Sequence, residues 1–425
     1  MIELKCDVMV IGAGHAGMAA ALFAAQRGLS VVQAGTTGGI DFGSGFIDVL
    51  GVHPVAEKRE LDEPWQGVAS LRAESSEHPY ARLNRDDITD GINAFTDFLT
   101  AQGLAFQGNE GRNLRLPTPA GTTKRTYLAP ATMAPGATAL REKAPCLIVS
   151  FDGLKGFSGR QLTETLGKNW PALRSAIITF PGLDGELYPE HMANALADPA
   201  RRKALAETVR PHLGDARYAG FPAMLGVLDC AEVTRHMEEL LGVTVFEIPT
   251  LPPPIMGVRL RAAFDRGLHG LGVRTLSQKT VMTARPSPDG FRFRAGGARE
   301  EYAISARAAV LATGRFFGKG IRQQTHDMRE TVFDLPVARP ADPDDWYDDV
   351  FFSQNGHPAD RCGVLFDDDF RPLNDDGTPF HHRLHAAGAI LSGHDWIREK
   401  SGTGLAVGTA WKAVNTLAKS LGEAG

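Results

Sequence analysis

One stretch constrains this chain more than any other: Cys6 to Arg27, CDVMVIGAGHAGMAAALFAAQR. Val8 to Ile11 is a short apolar run that stops at a glycine cluster, Gly12-Ala13-Gly14-His15-Ala16-Gly17, a full G-x-G-x-x-G. An Ala-rich run from Met18 to Ala25 follows. It has high helix propensity, and its side chains are small enough to let a helix lie close to a sheet. Strand, glycine turn and helix within about 30 residues predict a Rossmann-like phosphate-binding unit. Gly12 permits the tight turn, Gly14 lets backbone N–H groups approach a phosphate, and Gly17 lets the helix pack on the strand. The helix N-terminus turns its partial positive charge toward the anion.

A second strand should end in an acidic residue that binds a ribose, about 20 residues after the first glycine. The strand is present as Gly28-Leu29-Ser30-Val31-Val32, but Gln33-Ala34-Gly35 stands where the acid belongs. The phosphate turn without the ribose carboxylate suits a flavin mononucleotide, FMN, with an unusually bound FAD as the alternative. The glycine-rich segment Thr36 to Leu50, TTGGIDFGSGFIDVL, is expected to lie over a flavin, offering the backbone of Gly43 and Gly45 and the hydroxyl of Ser44.

The chain of 425 residues is long enough for two domains, and its 43% hydrophobic content is ordinary for a globular protein. A net charge of −5 gives no reason to expect nucleic-acid binding. No run of 18 apolar residues occurs, and the N-terminus enters a strand with no signal-like segment, so a cytoplasmic protein is expected. The four cysteines, Cys6, Cys146, Cys230 and Cys362, are scattered with no C-x-x-C pair. Reduced buried thiols are expected, and neither a metal site nor an iron–sulfur cluster held by this chain alone.

Further along, Ile88, Ile92, Phe95 and Leu99 recur at helical spacing within Asp86 to Gln102, capped by Asp86 or Asp87. From Pro145 the chain alternates strand patterns (Cys146 to Val149, Ala176 to Phe180, Val243 to Ile248) with helical ones (Gly159 to Leu166, Glu190 to Leu213). That alternation predicts an inserted α/β unit. The segment Ile248 to Leu260, IPTLPPPIMGVRL, leads from proline-stiffened chain into a helix, where Arg259 is a candidate contact for an anionic substrate. An apolar strand then ends at Ala312-Thr313-Gly314, and another at Leu384 to Gly388. Ser401-Gly402-Thr403-Gly404 opens a C-terminal helix whose N-terminus can face a flavin ring and stabilise negative charge there. Just before it lie His394, Asp395, Arg398, Glu399 and Lys400, the richest acid–base cluster in the chain. His394 is the candidate catalytic base.

Taken in order, the first motif, GSGFIDVL, IPTLPPPIMGVRL, AVLATGRFFGKG and AAGAILSGHD resemble the B subunit family of anaerobic glycerol-3-phosphate dehydrogenase. That family lies within the fumarate-reductase-like FAD-dependent oxidoreductases. Ser44 to Leu50 and Pro249 to Pro253 are its least generic pieces. The chain departs from it at Ser392-Gly393-His394-Asp395 and at Gly318-Lys319. The resemblance implies an FMN-dependent chain that oxidises sn-glycerol 3-phosphate to dihydroxyacetone phosphate. Its implied partners are a separate FAD-bearing subunit and an iron–sulfur, membrane-anchoring subunit that passes electrons to quinone. The chain would then be cytoplasmic or peripheral at the inner face of the membrane. Two alternatives remain at this point: a non-catalytic electron-transfer role, and a stand-alone flavin oxidoreductase acting on another small polar substrate.

The expected fold is α/β. It has a Rossmann-like flavin domain of glutathione-reductase/fumarate-reductase type from residues 1–75 and 265–425, interrupted by an α/β domain at 76–264. The expected cofactor residues are Gly12, Gly14, Gly17, Gly43, Ser44, Gly45, Gly314, Gly388, Ser401, Gly402, Thr403 and Gly404.

Overall fold

In the computed structural model, which describes residues 1–36 and 38–422, β1 (Ile2–Ile11) runs into the glycine turn and α1 (His15–Gln26). β2 (Val31–Gly35) returns parallel to β1, with Val8 opposite Val31. Val8, Met9 and Val10 are wholly buried, as strands covered on both faces must be. α1 is buried from Ala16 to Ala24. A helix apolar all round needs cover on every side. Part of that cover is the C-terminal helix, Gly402–Gly422, where Trp411 meets Phe23 edge-on at 5.0 Å.

The chain divides into two units. The first takes in Met1–Ile40, Asp48–Phe95 and Phe264–Gly425. Its sheet has seven strands. Arg274–Ser277, β2, β1 and Glu300–Leu311 lie side by side and parallel, and Leu384–Ala386 pairs with the far part of Glu300–Leu311. Gly290–Gly296 and Thr280–Ser287 extend the sheet antiparallel. This is the parallel α/β architecture expected of the flavin domain.

The second unit takes in Asp41–Ile47 and Thr96–Ala263. Its four-stranded sheet is all parallel, in the order Thr244–Ile248, Tyr218–Pro222, Cys146–Phe151, Leu173–Ile178. Two details differ from the sequence expectation. Tyr218–Pro222 is an additional central strand, hidden in sequence by its glycine and proline. The single helix expected over Glu190 to Leu213 is two, Pro189–Ala195 and Pro199–Val209, because Asp198 caps a fresh start through the Ala200 amide.

The unit boundaries also move from those expected at residues 76 and 264. The helix Arg85–Ala101 gives its first half to the first unit, where Phe95 stacks obliquely on Phe264 at 5.4 Å and Gly91 lies against Val407 and Trp411. Asp41–Ile47 goes to the second unit because Ile47 pairs with Leu128 and Asp41 accepts two hydrogen bonds from Arg261 at 3.1 and 3.0 Å.

Candidate functional site

Four backbone segments converge in the first unit, and glycine makes each approach possible. At Gly12, φ is +136° and a Cβ would stand 2.1 Å from the Ala312 carbonyl oxygen and 3.3 Å from the Thr313 amide. The turn is thus closed onto the end of strand Glu300–Leu311, beside Thr313 and Gly314. At Gly17 a Cβ would stand 2.2 Å from the Gly12 carbonyl, so the first turn of α1 folds directly over the motif. Gly388, at φ +76°, is pressed against Ala16 and Ala406, and its amide donates to Thr409 Oγ1 at 2.9 Å. Gly404 donates to the Asp48 carbonyl at 2.8 Å, where a Cβ would collide with the same oxygen. Glycine turn, Gly388 turn and the start of the C-terminal helix are therefore held within van der Waals distance.

Gly14 is different. It caps α1 with no side-chain hydrogen bond, and among the described residues a Cβ there would meet only the Gly39 amide, at 3.8 Å. A helix N-terminus approached through glycine is what a phosphate requires. Gly35, in the place of the ribose-binding acid, has no room for any side chain, since a Cβ would stand 2.7 Å from both Ala13 N and Ala13 Cβ. Gln33 is fully buried and donates to the Gly12 carbonyl at 3.0 Å, bracing the turn from below. The turn fits a flavin phosphate, but the strand β2 brings it no carboxylate.

The acid–base cluster forms a second layer in the same unit. His394 is completely buried, and among the described residues neither ring nitrogen makes a well-formed hydrogen bond, although the Leu391 and Gly388 carbonyls lie near it. Burial first, then the charge of Arg315 and the neighbouring His78, hold its pKa well below the ordinary 6.5, so the ring is neutral. Arg315, itself pushed down to about 10 by burial, donates to the carbonyls of Leu391 and His394 at 2.9 Å each and to that of Asp360.

The His78 ring lies 6.0 Å from that of His394, edge to face. Its Nδ1 accepts the Tyr80 amide at 3.0 Å, which leaves Nε2 as the donor to Glu399 at 3.2 Å. Burial alone would raise the Glu399 carboxyl. The His78 contact, the Asp395 amide at 2.9 Å and the Ser401 hydroxyl at 3.0 Å bring it below the usual range instead. Tyr80 donates to the Val49 carbonyl at 2.6 Å, its phenol raised by burial and by Glu399 and Asp48. His78 and Tyr80 escaped the sequence reading. They come from a polar stretch 321 positions before Glu399, and no local periodicity marks them.

One expected site residue is engaged elsewhere. Arg259, expected to hold an anionic substrate, is completely buried in the second unit. Its guanidinium makes two contacts to Glu247, at 2.7 and 2.8 Å, and two to the Gly226 carbonyl, at 3.0 and 2.8 Å. No donor face is left for a phosphate. Gly43, Ser44 and Gly45 also fall in the second unit, and Gly45, at φ +80°, faces Met256 and Pro130. All four cysteines are buried thiols, and no group of three metal-binding side chains occurs among the described residues. No helix among them is long and apolar enough to cross a membrane.

A glycine turn on a parallel sheet, met by the start of a C-terminal helix, is the frame of a dinucleotide-binding α/β protein, and family membership makes the chain a flavin-binding oxidoreductase. The FAD-binding domain family matches residues 7–405, and the chain belongs to it. FAD rather than FMN is therefore indicated, which corrects the expectation drawn from the missing acid: the carboxylate is one support of a dinucleotide among several. Within that class, the chain belongs to the B subunit family of anaerobic glycerol-3-phosphate dehydrogenase. It is 32% identical over 442 residues to a Halobacterium salinarum protein named as a probable B subunit of that enzyme, covering 99% of each chain. It is 29% identical to the corresponding B subunit of Vibrio cholerae, over 97% of this chain and 96% of that one. Among solved structures, a 3-ketosteroid delta1-dehydrogenase from Sterolibacterium denitrificans aligns over 98% of this chain and 100% of its own, with 11% identity and a TM-score of 0.43.

Proposed function

We propose that this chain oxidises sn-glycerol 3-phosphate to dihydroxyacetone phosphate as the B subunit of an anaerobic glycerol-3-phosphate dehydrogenase. Electrons leave through a separate FAD-bearing subunit and an iron–sulfur subunit toward quinone, and the iron–sulfur subunit holds the complex at the inner face of the membrane. The observation that supports it most is the end-to-end match at 32% identity to a relative of that name.

FAD is the proposed cofactor. Its phosphates would face the amides that open α1, with Gly12, Gly14 and Gly17 giving access. Its ring would face Gly314, Gly388 and the helix start at Ser401, Gly402, Thr403 and Gly404. Bound there, the flavin supplies the hydride acceptor for alcohol oxidation. His394 takes the hydroxyl proton. A neutral imidazole has a lone pair to offer on one ring nitrogen. His78, oriented by Glu399, stands behind it. Arg259 has no part in this site.

A second reading, electron transfer without substrate turnover on this chain, is favoured by one observation: His394 is fully enclosed. Stopped-flow mixing with glycerol 3-phosphate separates the two. Direct bleaching of the flavin supports turnover here, while bleaching only in the presence of the FAD-bearing partner supports the second reading. Gly14→Val should leave the chain folded but colourless, because its side chain would stand in front of the helical amides. A yellow Gly14→Val protein would refute the assigned phosphate position.

A further inference from the structure

The first unit carries a projecting apolar tip. Val350, Phe351 and Phe352 are consecutive and 61%, 78% and 87% exposed, and the two phenyl rings meet edge-on at 4.8 Å. The tip is preorganised from both sides. The Asp348 carboxylate accepts the Val350 amide and the Ser353 hydroxyl, each at 2.8 Å. His357 Nδ1 accepts the Asp348 amide at 3.1 Å, so its Nε2 donates to the Phe351 carbonyl, at 3.0 Å. Exposed aromatic side chains on a fixed backbone lose little entropy on docking and are the residues that dominate interface energies.

Two further features give this tip a direction. A Cβ on Gly356 would lie 2.7 Å from the Arg398 guanidinium. The turn therefore rests on the short helix Trp396–Glu399, whose Trp396 and Ile397 are 40% and 50% exposed and closely follow His394. The segment leading into the tip is acidic and exposed. Asp342, Asp344, Asp345 and Asp349 belong to the sequence leading into it, and Asp344, Asp345 and Asp349 number among its five acidic residues from 342 to 349.

We propose that this face is the docking surface for a protein partner presenting an apolar socket with a Lys/Arg rim. The partner is taken from the complex proposed above, and the inference rests on that reading only to this extent. The exposed acidic segment opposes the alternatives. It repels the anionic surface of a bilayer, and in a dimer of this chain it would place like charges face to face. Docking beside His394 would bring an electron acceptor close to the flavin site.

The test is quantitative co-purification of the full-length chain co-expressed with its FAD-bearing and iron–sulfur partners. Phe351→Ser/Phe352→Ser should weaken retention of the partner about tenfold or more, with unchanged flavin absorbance and circular dichroism. Asp344→Lys/Asp345→Lys/Asp349→Lys should weaken it too and flatten its dependence on salt. Wild-type retention in both variants would overturn the proposal. So would failure of the wild-type chain to bind either partner. Two other outcomes would overturn it as well: tip-dependent pelleting with phosphatidylcholine/phosphatidylglycerol vesicles, or tip-dependent dimerisation in sedimentation. If partner retention depends on the tip but glycerol 3-phosphate reduces neither flavin, the surface stands and the proposed reaction fails.

Discussion

The protein buries two clusters of ionisable groups, and they are built on opposite principles. In the second unit, Arg259 and Glu247 are both wholly enclosed and wholly satisfied. The Glu247 carboxylate accepts the amides of Met224 and Leu225 at 2.8 and 2.7 Å and the Thr132 hydroxyl at 2.6 Å, besides the guanidinium. Burial would raise this carboxyl, but Arg259 holds it down, and the arginine is held charged in return. In the first unit His394 is equally enclosed, yet among the described residues neither ring nitrogen has a well-formed hydrogen bond, and only the Leu391 and Gly388 carbonyls lie near enough to favour its proton. Buried polar groups in native proteins are ordinarily paired, so a complete cluster reads as a keystone and an incomplete one as a place where something else must bind or react. Burial and charge alone do not distinguish the two. The hydrogen-bond inventory does.

The largest expected effect comes from breaking the complete cluster. Arg259→Met leaves Glu247 charged and alone in the core, and should cost about 3–5 kcal/mol of unfolding free energy. Arg259→Met/Glu247→Leu should recover most of that loss, since a buried pair is often replaceable by apolar side chains of similar volume. Urea denaturation of the three proteins measures it. A stable Arg259→Met protein with a raised KM for glycerol 3-phosphate would collapse the comparison, because Arg259 would then be a substrate contact after all.

The contrast also explains what could be read from sequence. The glycine turn, the parallel sheet behind it and the C-terminal helix were legible because their reasons are local: Gly12, Gly14 and Gly17 sit within six residues, and the helix carries its own apolar stripe. Arg259 was misread because its partner Glu247 lies across a proline-rich segment, and nothing in IPTLPPPIMGVRL says which way an arginine turns. His78 and Tyr80 were invisible for the same reason at longer range. The central strand Tyr218–Pro222 was hidden by composition, since a strand flanked on both sides needs no alternation. The preference for FMN over FAD gave too much weight to a missing carboxylate, when Gly35 is required simply because Ala13 leaves no space for a side chain.

A smaller effect, opposite in sign, is expected at the incomplete cluster. His394→Leu removes a buried polar group with no well-formed hydrogen bond among the described residues, so it should cost little stability and can raise it by about 1–3 kcal/mol. The same change should slow flavin reduction by about 10²–10⁴-fold if His394 takes the substrate proton. Thermal unfolding and stopped-flow reduction on one preparation test both halves. Loss of stability equal to that of Arg259→Met would show that His394 is as structural as the other cluster.

The smallest effect is a slope. The pKa of His394 is depressed in the folded chain, by burial and then by Arg315 and His78. Below the ordinary value of 6.5 the unfolded chain takes up a proton that the folded chain refuses, so stability falls as pH falls through that point. His385, and His381 at about 4, add to the same trend. Glu330 opposes it. Burial raises its carboxyl from 4.5 to about 7 despite the Val332 and Phe333 amides at 2.8 and 2.7 Å. Between those values the folded chain holds a proton that the unfolded one has lost, so this residue gains stability as pH falls. Each group can contribute at most about 1.4 kcal/mol per pH unit. Urea midpoints between neutral pH and the acid side, compared between wild type and His394→Leu, isolate one proton. The variant should lose less stability on acidification, and Glu330→Gln should lose more. Parallel curves for wild type and His394→Leu would mean that the imidazole titrates as an exposed one does, and the enclosed histidine would no longer set the two clusters apart.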